Sequence, residues 1–205
     1  YHTNRPKFAD IIEKALRQYA IVLSRRRAAY RAKGYVKYTW EVPADRFYKE
    51  DTNSVCPQIE NHALMPYIQE NRVSSPEQKF TTFLEENTEY IDWWYKNGDS
   101  GKQHYAISYT NVNGDKALFY VDFVIRMKNG QVFLFDTKSE DSDKNAPCKH
   151  NALIDYIHSE ENADKHLKGG VIIQSGENWK YCPLKIENTT DISGWDCFYP
   201  DEYKV

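Results

Sequence analysis

Apolar residues recur with a helical period near the start of the chain. Phe8, Ile12, Leu16, Tyr19, Leu23 and Tyr30 fall close to 3.6 residues per turn, and Gly34 suits a stop, so one helix is predicted over 8–33. "YVKYTWEVP" then alternates as a strand does and ends at Pro43. Residues 44–74 are mixed, with a short helix placed around Ala63–Asn71. At "SSPEQKFTTFLEENTEYIDWWYKNG" a second helix begins, with Ser75 as N-cap, Pro76 in the first turn and Glu77 beside it, and it is carried on to Asn97-Gly98. Strands are predicted at 104–111, 117–126 and 131–138. A polar loop, "SEDSDKNAP", leads to a helix over 147–158. "GGVIIQS" then reads as a short buried strand, parallel to its predecessor in a right-handed crossover. The aromatic tail from residue 177 follows no firm pattern.

Polar residues break the pattern at one place. In "ALFYVDFVIRMKNGQVFLFDTKSED", residues 117–141, Asp122 interrupts the first apolar run, and Asp136 and Lys138 finish the second. Side chains alternate along a strand, so Asp136 and Lys138 share one face and Phe133, Phe135 and Thr137 the other. A two-residue Asn129-Gly130 turn would set Asp122 opposite Thr137, throwing Asp136 onto the Phe123 face. A three-residue turn, with Gly130 left-handed in a G1 bulge, sets Met127 opposite Gln131 and Asp122 opposite Asp136. Hydrophobic sorting favours the second register, which gathers Val121, Phe123, Ile125, Phe133, Phe135 and Thr137 on one face and Asp122, Val124, Leu134, Asp136 and Lys138 on the other. Carboxylates opposite one another have Cβ atoms about 4.5–5.5 Å apart, which is unfavourable unless a positive group lies between them. A divalent cation with oxygen ligands is the expected occupant.

At 205 residues and 24.1 kDa the chain suits one well-buried α/β domain. No apolar run reaches the roughly 18 residues that span a bilayer, and no signal peptide opens the chain, so a soluble, cytoplasmic protein without a membrane partner is expected. The start at Tyr1, straight into an Arg-rich helical pattern, reads as a piece cut from a longer protein. The net charge of −3 hides an asymmetry: residues 1–37 carry ten Lys or Arg against Asp10 and Glu13, a segment of +8 attached to a body of −11. Such a segment suits phosphates, although a solvated helix face or a seam to an acidic domain explains it equally. The division expected is a basic helical segment, 1–37, and an α/β domain, 38–205. Cys56, Cys148, Cys182 and Cys197 have no C-x-x-C spacing and are expected to be reduced and mostly buried. No H-E-x-x-H, G-x-S-x-G or G-x-x-x-x-G-K-[ST] pattern occurs, which argues against a zinc hydrolase, a serine hydrolase and ATP binding within this segment.

Val121-Asp122 followed by Asp136-Thr137-Lys138 resembles the signature of the PD-(D/E)XK nucleases, with Val121 where those proteins usually have Pro. The order of "SSPEQKFTTFLEENTEYIDWWYKNG", "HYAISY", "YVDFVIRMKNGQVFLFDTKS" and the Lys149-bearing helix is similar to the C-terminal nuclease region of type III restriction enzyme Res subunits and related DEAD/DEAH-type helicases. The similarity covers residues 38–175. It implies a restriction-endonuclease-like α/β core, a mixed central sheet flanked by helices, preceded here by the basic helix. It implies a Mg2+-dependent DNA endonuclease, with Mn2+ as substitute, in which Asp122 and Asp136 are metal ligands and the Thr137 carbonyl is a third. Lys138 would orient or deprotonate the attacking water and steady the phosphorane. Mg2+ suits a site offering one or two carboxylates, because it keeps its waters and takes phosphate oxygens.

The superfamily often adds a Glu from the first core helix. Glu77 is the candidate, with Glu85 and Glu86 as alternatives; a carboxylate stabilised by the helix N-terminus, worth about 0.3–1 kcal/mol, is the plainer explanation. Lys149 would hold a phosphate of the scissile strand, or simply face solvent. Trp93, Trp94 and Tyr95, placed at a helix end, are expected to pack beneath the sheet rather than stack on bases. Asp141 and Asp143 fit a polar loop without catalysis. For Asp122, Asp136 and Lys138 the plain alternative is an exposed ion pair at the sheet edge, worth little. The implied partners are double-stranded DNA, upstream helicase domains of the same chain, through which alone ATP would enter, and a methyltransferase subunit that sets sequence specificity. A catalytically inactive scaffold of the same fold, docking a helicase or methyltransferase, is the alternative. A stand-alone nuclease of RNA or repair metabolism ranks third.

Overall fold

The computed structural model describes residues 5–32, 74–98, 105–139 and 143–204, and the chain falls into two units, residues 1–41 and 42–205. The strand expected at 35–43, the short helix at Ala63–Asn71 and Cys56 lie outside the described residues. The described residues of the first unit form a helix, α1 (Arg5–Ala32), close to the span its apolar period predicts. No helix among the described residues is long and apolar enough to cross a membrane.

The second unit begins with α2 (Ser75–Glu86). Its N-cap is Ser74 rather than Ser75: the Ser74 hydroxyl accepts from the Glu77 amide, and Glu77 Oε2 accepts from the Ser74 amide at 2.6 Å, closing a capping box. The helix stops at Glu86, eleven residues short of Asn97. The Asn87 side chain donates to the Phe83 carbonyl, and a turn leads into β1 (Ile91–Lys96). Ile91, Trp94 and Tyr95 also fit a helical spacing, which is why the segment reads as helix; pairing with a buried strand decides otherwise, and aromatic residues suit that pleated surface. Trp93, Trp94 and Tyr95 thus belong to a strand, with Trp94 and Tyr95 buried as expected.

Next come β2 (Ile107–Thr110), β3 (Lys116–Phe119), β4 (Phe123–Met127), β5 (Val132–Lys138), α3 (Ala146–Ile157), β6 (Leu167–Ser175), β7 (Asn178–Tyr181) and β8 (Asp196–Cys197). The strand predicted over 117–126 is therefore two, broken at residues 120–122. The main sheet runs β1-β4-β5-β6-β7-β8, while β2 and β3 form a hairpin of their own. Among the described residues only β5 and β6 pair in parallel, across α3 as expected, so the protein is α/β with a mixed central sheet. The tail, which has no legible pattern, supplies the last two strands.

Helices cover both faces. Phe80 and Leu84 of α2 are fully buried against Phe123, Ile125, Phe133, Phe135 and Ile172, burial worth about 1.5–3 kcal/mol per side chain. On the opposite face His150 of α3 accepts from the Val171 amide through Nδ1, sits 2.7 Å from the Leu184 carbonyl through Nε2 and stacks on Trp195. It is a satisfied core histidine, and burial pulls its pKa below the ordinary value. Cys148, Cys182 and Cys197 are free and half-buried, more accessible than expected.

β6 lies close to β5 because its third and fourth residues are glycines. Gly169 (φ +142°) and Gly170 (φ +148°) adopt backbone that side chains disfavour. A Cβ at Gly169 would collide with the Leu134 carbonyl, and one at Gly170 would lie 2.8 Å from both the Cys182 carbonyl and His150 Cε1. That close approach aligns Asp136 with Val171 and Lys138 with Ile173. Gly169→Ala is expected to cost about 3 kcal/mol, from backbone strain and overpacking, in urea unfolding. Gly176→Ala is the control: φ is also positive there (+64°), but the space is open. Equal losses for the two would contradict this account of the β5–β6 contact.

Candidate active site

The β4–β5 turn decides what meets at the end of the sheet. Phe123 pairs with Phe135, Val124 with Leu134, Ile125 with Phe133 and Arg126 with Val132. Gly130 is left-handed (φ +89°), and the Met127 amide donates to the Gln131 carbonyl at 2.9 Å. This is the three-residue register, and extending it by one residue sets Asp122 opposite Asp136.

Asp122 itself lies just beyond the last β4 pair. In this register hydrogen-bonded pairs fall at every second residue from Met127 and Gln131, so the Thr137 amide is due to meet the Val121 carbonyl. Asn97, which sequence reasoning passed over, diverts that carbonyl: buried directly after β1, its Nδ2 donates to Val121 O at 2.9 Å and Tyr105 O at 2.8 Å, while its amide donates to Asp122 O. Asp122 Oδ2 takes the vacated place and accepts from both the Thr137 amide and the Thr137 hydroxyl, each at 2.8 Å. The break that splits the predicted strand is thus what turns the Asp122 carboxylate onto β5.

Asp136 is only 2 % exposed, so it is no surface ion pair at a sheet edge. Lys138 Nζ lies 2.8 Å from its Oδ2 and 3.3 Å from the Thr137 carbonyl, to which it donates. The Oδ2 contact is an ion pair, made to a carboxylate that is otherwise sealed from solvent. Burial, and next the Asp122 charge, push the Asp136 carboxyl up to about 7 against the pull of Lys138 and Lys149. Burial draws the Lys138 ammonium down, but Asp136 and Asp122 more than offset this and hold it above its ordinary value.

Glu77 does two jobs with two oxygens. Oε2 closes the α2 cap, and Oε1 lies 2.7 Å from Lys96 Nζ, which in turn lies 3.7 Å from Asp122 Oδ1. Burial raises the Glu77 carboxyl, yet Lys96 and the Ser74 hydrogen bonds leave it below the usual carboxylate value. Of the alternatives, Glu85 accepts from the Trp94 indole and Glu86 is exposed. Lys149 is neither free nor solvent-facing: it pairs with Asp143 at 2.6 Å. The polar loop thereby gains a tie to α3, while Asp141 lies outside the described residues.

Among the described residues no group of three or more His, Cys, Asp or Glu side chains is placed to hold a metal ion. Glu77 is committed to Lys96. Asp136, Asp122 and the Thr137 carbonyl remain as hard oxygen donors, a set that fits Mg2+, which binds through one or two carboxylates and fills its shell with water and phosphate. Beside them a cleft of about 510 Å3 is lined by Ser75, Lys79, Lys138, Ser139, Ile173 and Gln174. It opens at the carboxyl ends of the parallel pair β5 and β6, the usual place for ligands in sheets of this kind. Comparison with protein-family models, curated proteins and solved structures finds no match for the chain.

A carboxyl whose folded value lies above its unfolded value of 3.8 binds its proton more tightly in the folded state. Its burial therefore destabilises the fold increasingly as pH rises from about 4 to about 7, and fully above that. Without divalent cations, Asp136→Asn is expected to be more stable than the wild type at pH 8 by a few kcal/mol, an advantage that shrinks toward pH 4. An advantage independent of pH would show that Asp136 is not a strained acid.

Proposed function

We propose that residues 38–205 form a restriction-endonuclease-like (PD-(D/E)XK) domain that hydrolyses DNA phosphodiesters in a metal-dependent reaction. Its setting in this reading is a larger cytoplasmic, type III restriction-like helicase–nuclease, with ATP handled by upstream helicase domains and sequence choice by a methyltransferase subunit. The observation that carries the proposal is Asp136: a carboxylate buried beside the Thr137 carbonyl and ion-paired with Lys138 at 2.8 Å, with a second carboxylate, Asp122, accepting from the neighbouring Thr137. A purely structural ion pair gains nothing from a second carboxylate held so close that it helps push the first toward its protonated form.

In this reading Asp122, Asp136 and the Thr137 carbonyl hold Mg2+, for which Mn2+ substitutes. The ion supplies Lewis acidity toward a phosphate oxygen and lowers the pKa of a bound water. The chain supplies the rest. Lys138, at the junction of the acidic pair and the cleft, donates to the phosphate oxygens on which negative charge grows and orients the attacking water. The water oxygen bonds to phosphorus and gives up a proton to solvent as the bond to the opposite ester oxygen breaks, and that oxygen leaves with a proton taken from solvent. Lys79 lines the same cleft and meets a neighbouring phosphate, and Lys149, steadied by Asp143, meets the scissile strand. Glu77 acts at one remove, through Lys96.

Incubation of the full chain with supercoiled plasmid is expected to give Mg2+- or Mn2+-dependent nicking. Asp136→Asn and Lys138→Met should each lower it at least about a hundredfold. Absence of cleavage with either ion, or cleavage unchanged in Asp136→Asn, would favour the inactive scaffold instead.

A further inference from the structure

The acidic centre contains two ammonium groups, and they are held differently. Lys138 touches one carboxylate oxygen and one carbonyl. Lys96 Nζ is enclosed: Glu77 Oε1 at 2.7 Å, Asp122 Oδ1 at 3.7 Å, the Asn97 carbonyl at 3.4 Å and the face of Phe123 at 5.1 Å. Its side chain is 12 % exposed. These partners cannot easily move away. Glu77 is fixed by its second oxygen at the helix cap, Asp122 by its second oxygen on Thr137, and Asn97 by its bonds to Val121 and Tyr105. Two carboxylates converging on one point at the end of a sheet form a cation site, and here the chain's own cation fills it.

We propose that Lys96 occupies what would otherwise be the second cation position of this centre, so that the protein takes one divalent ion where carboxylate-rich phosphodiester sites can take two. The inference rests on the nuclease reading above and adds the number of ions to it. Two-metal sites place their ions about 3.5–4 Å apart, bridged by a shared carboxylate. Asp122 is placed to be such a bridge: one oxygen lies on Thr137, beside Asp136, and the other lies 3.7 Å from Lys96. The 3.7 Å separation from Lys96 is longer than a hydrogen bond, so Oδ1 keeps a lone pair for an ion beside Asp136. Glu77 at 2.7 Å does not. Lys96 is accordingly a positioning residue: it neutralises Glu77, keeps that carboxylate from ligation and holds Asp122 at the sheet end.

Mn2+ titration of the full chain, followed by the loss of the free-ion paramagnetic signal, counts the ions. Wild type is expected to bind one ion, and Lys96→Met two, because Glu77 Oε1 and Asp122 Oδ1 then face each other without a cation. Lys96→Arg, which keeps the charge, and the double variant Lys96→Met with Glu77→Gln, which removes the surplus carboxylate, should both return to one. Lys96→Gln serves as a second neutral variant if the methionine variant does not give a folded melting profile. Two ions bound by wild type, or one still bound by both neutral variants when folded, overturns the role given to Lys96 and leaves the nuclease reading intact. No ion bound by wild type overturns the reading beneath it.

Discussion

The left-handed Gly130 at the β4–β5 turn sets the register on which the rest of the centre depends. With one residue fewer in the turn, Asp136 would face the aromatic core formed by Phe80, Phe123 and Phe135, a burial no partner there could offset. With the extra residue, Phe133 and Phe135 take the α2 side, Asp136 and Lys138 take the other, and Asp122 falls opposite Asp136. The turn is far from the chemistry along the strand, yet it selects which side chains share a face.

The second determinant is the interruption of the sheet at Asp122. Asn97 withdraws the Val121 carbonyl from β5, and a carboxylate replaces it on the Thr137 amide. The exchange keeps the buried amide paired while bringing a second negative charge beside Asp136. Lys96 and Lys138 limit the resulting repulsion from opposite sides, but the Asp136 carboxyl remains well above its ordinary value. Carboxyls perturbed in this way cluster at functional sites.

Much of the arrangement is legible in the chain. Gly130 and the sorting of phenylalanines point to the register, and Ser-Ser-Pro-Glu marks the α2 cap within one residue. The dual character of Glu77 is also there, since a capping carboxylate has a second oxygen to offer. Other parts depend on contacts that no local pattern encodes. Ile91-Asp92-Trp93-Trp94-Tyr95-Lys96 satisfies helical and extended spacings alike, and only pairing with β4 settles it. Lys96 and Asn97 look like turn residues until that pairing sets Lys96 beside Phe123 and Asn97 against the 121–122 backbone. Lys149 appears solvent-facing because its partner, Asp143, lies across the loop that precedes its helix. The last strands are hidden because they are short and gain regularity only by pairing, β7 with β6 and β8 with β7.

The most direct test of the central claim, that Asp122 and Asp136 share a cation, is anomalous diffraction from crystals soaked in Mn2+. The account calls for one peak in contact with Asp136 and Asp122, absent in Asp136→Asn, with Lys96 still lying on Glu77. A peak between Glu77 and Asp122 with Lys96 displaced, or no peak at Asp136 while the two carboxylates face each other, would contradict it.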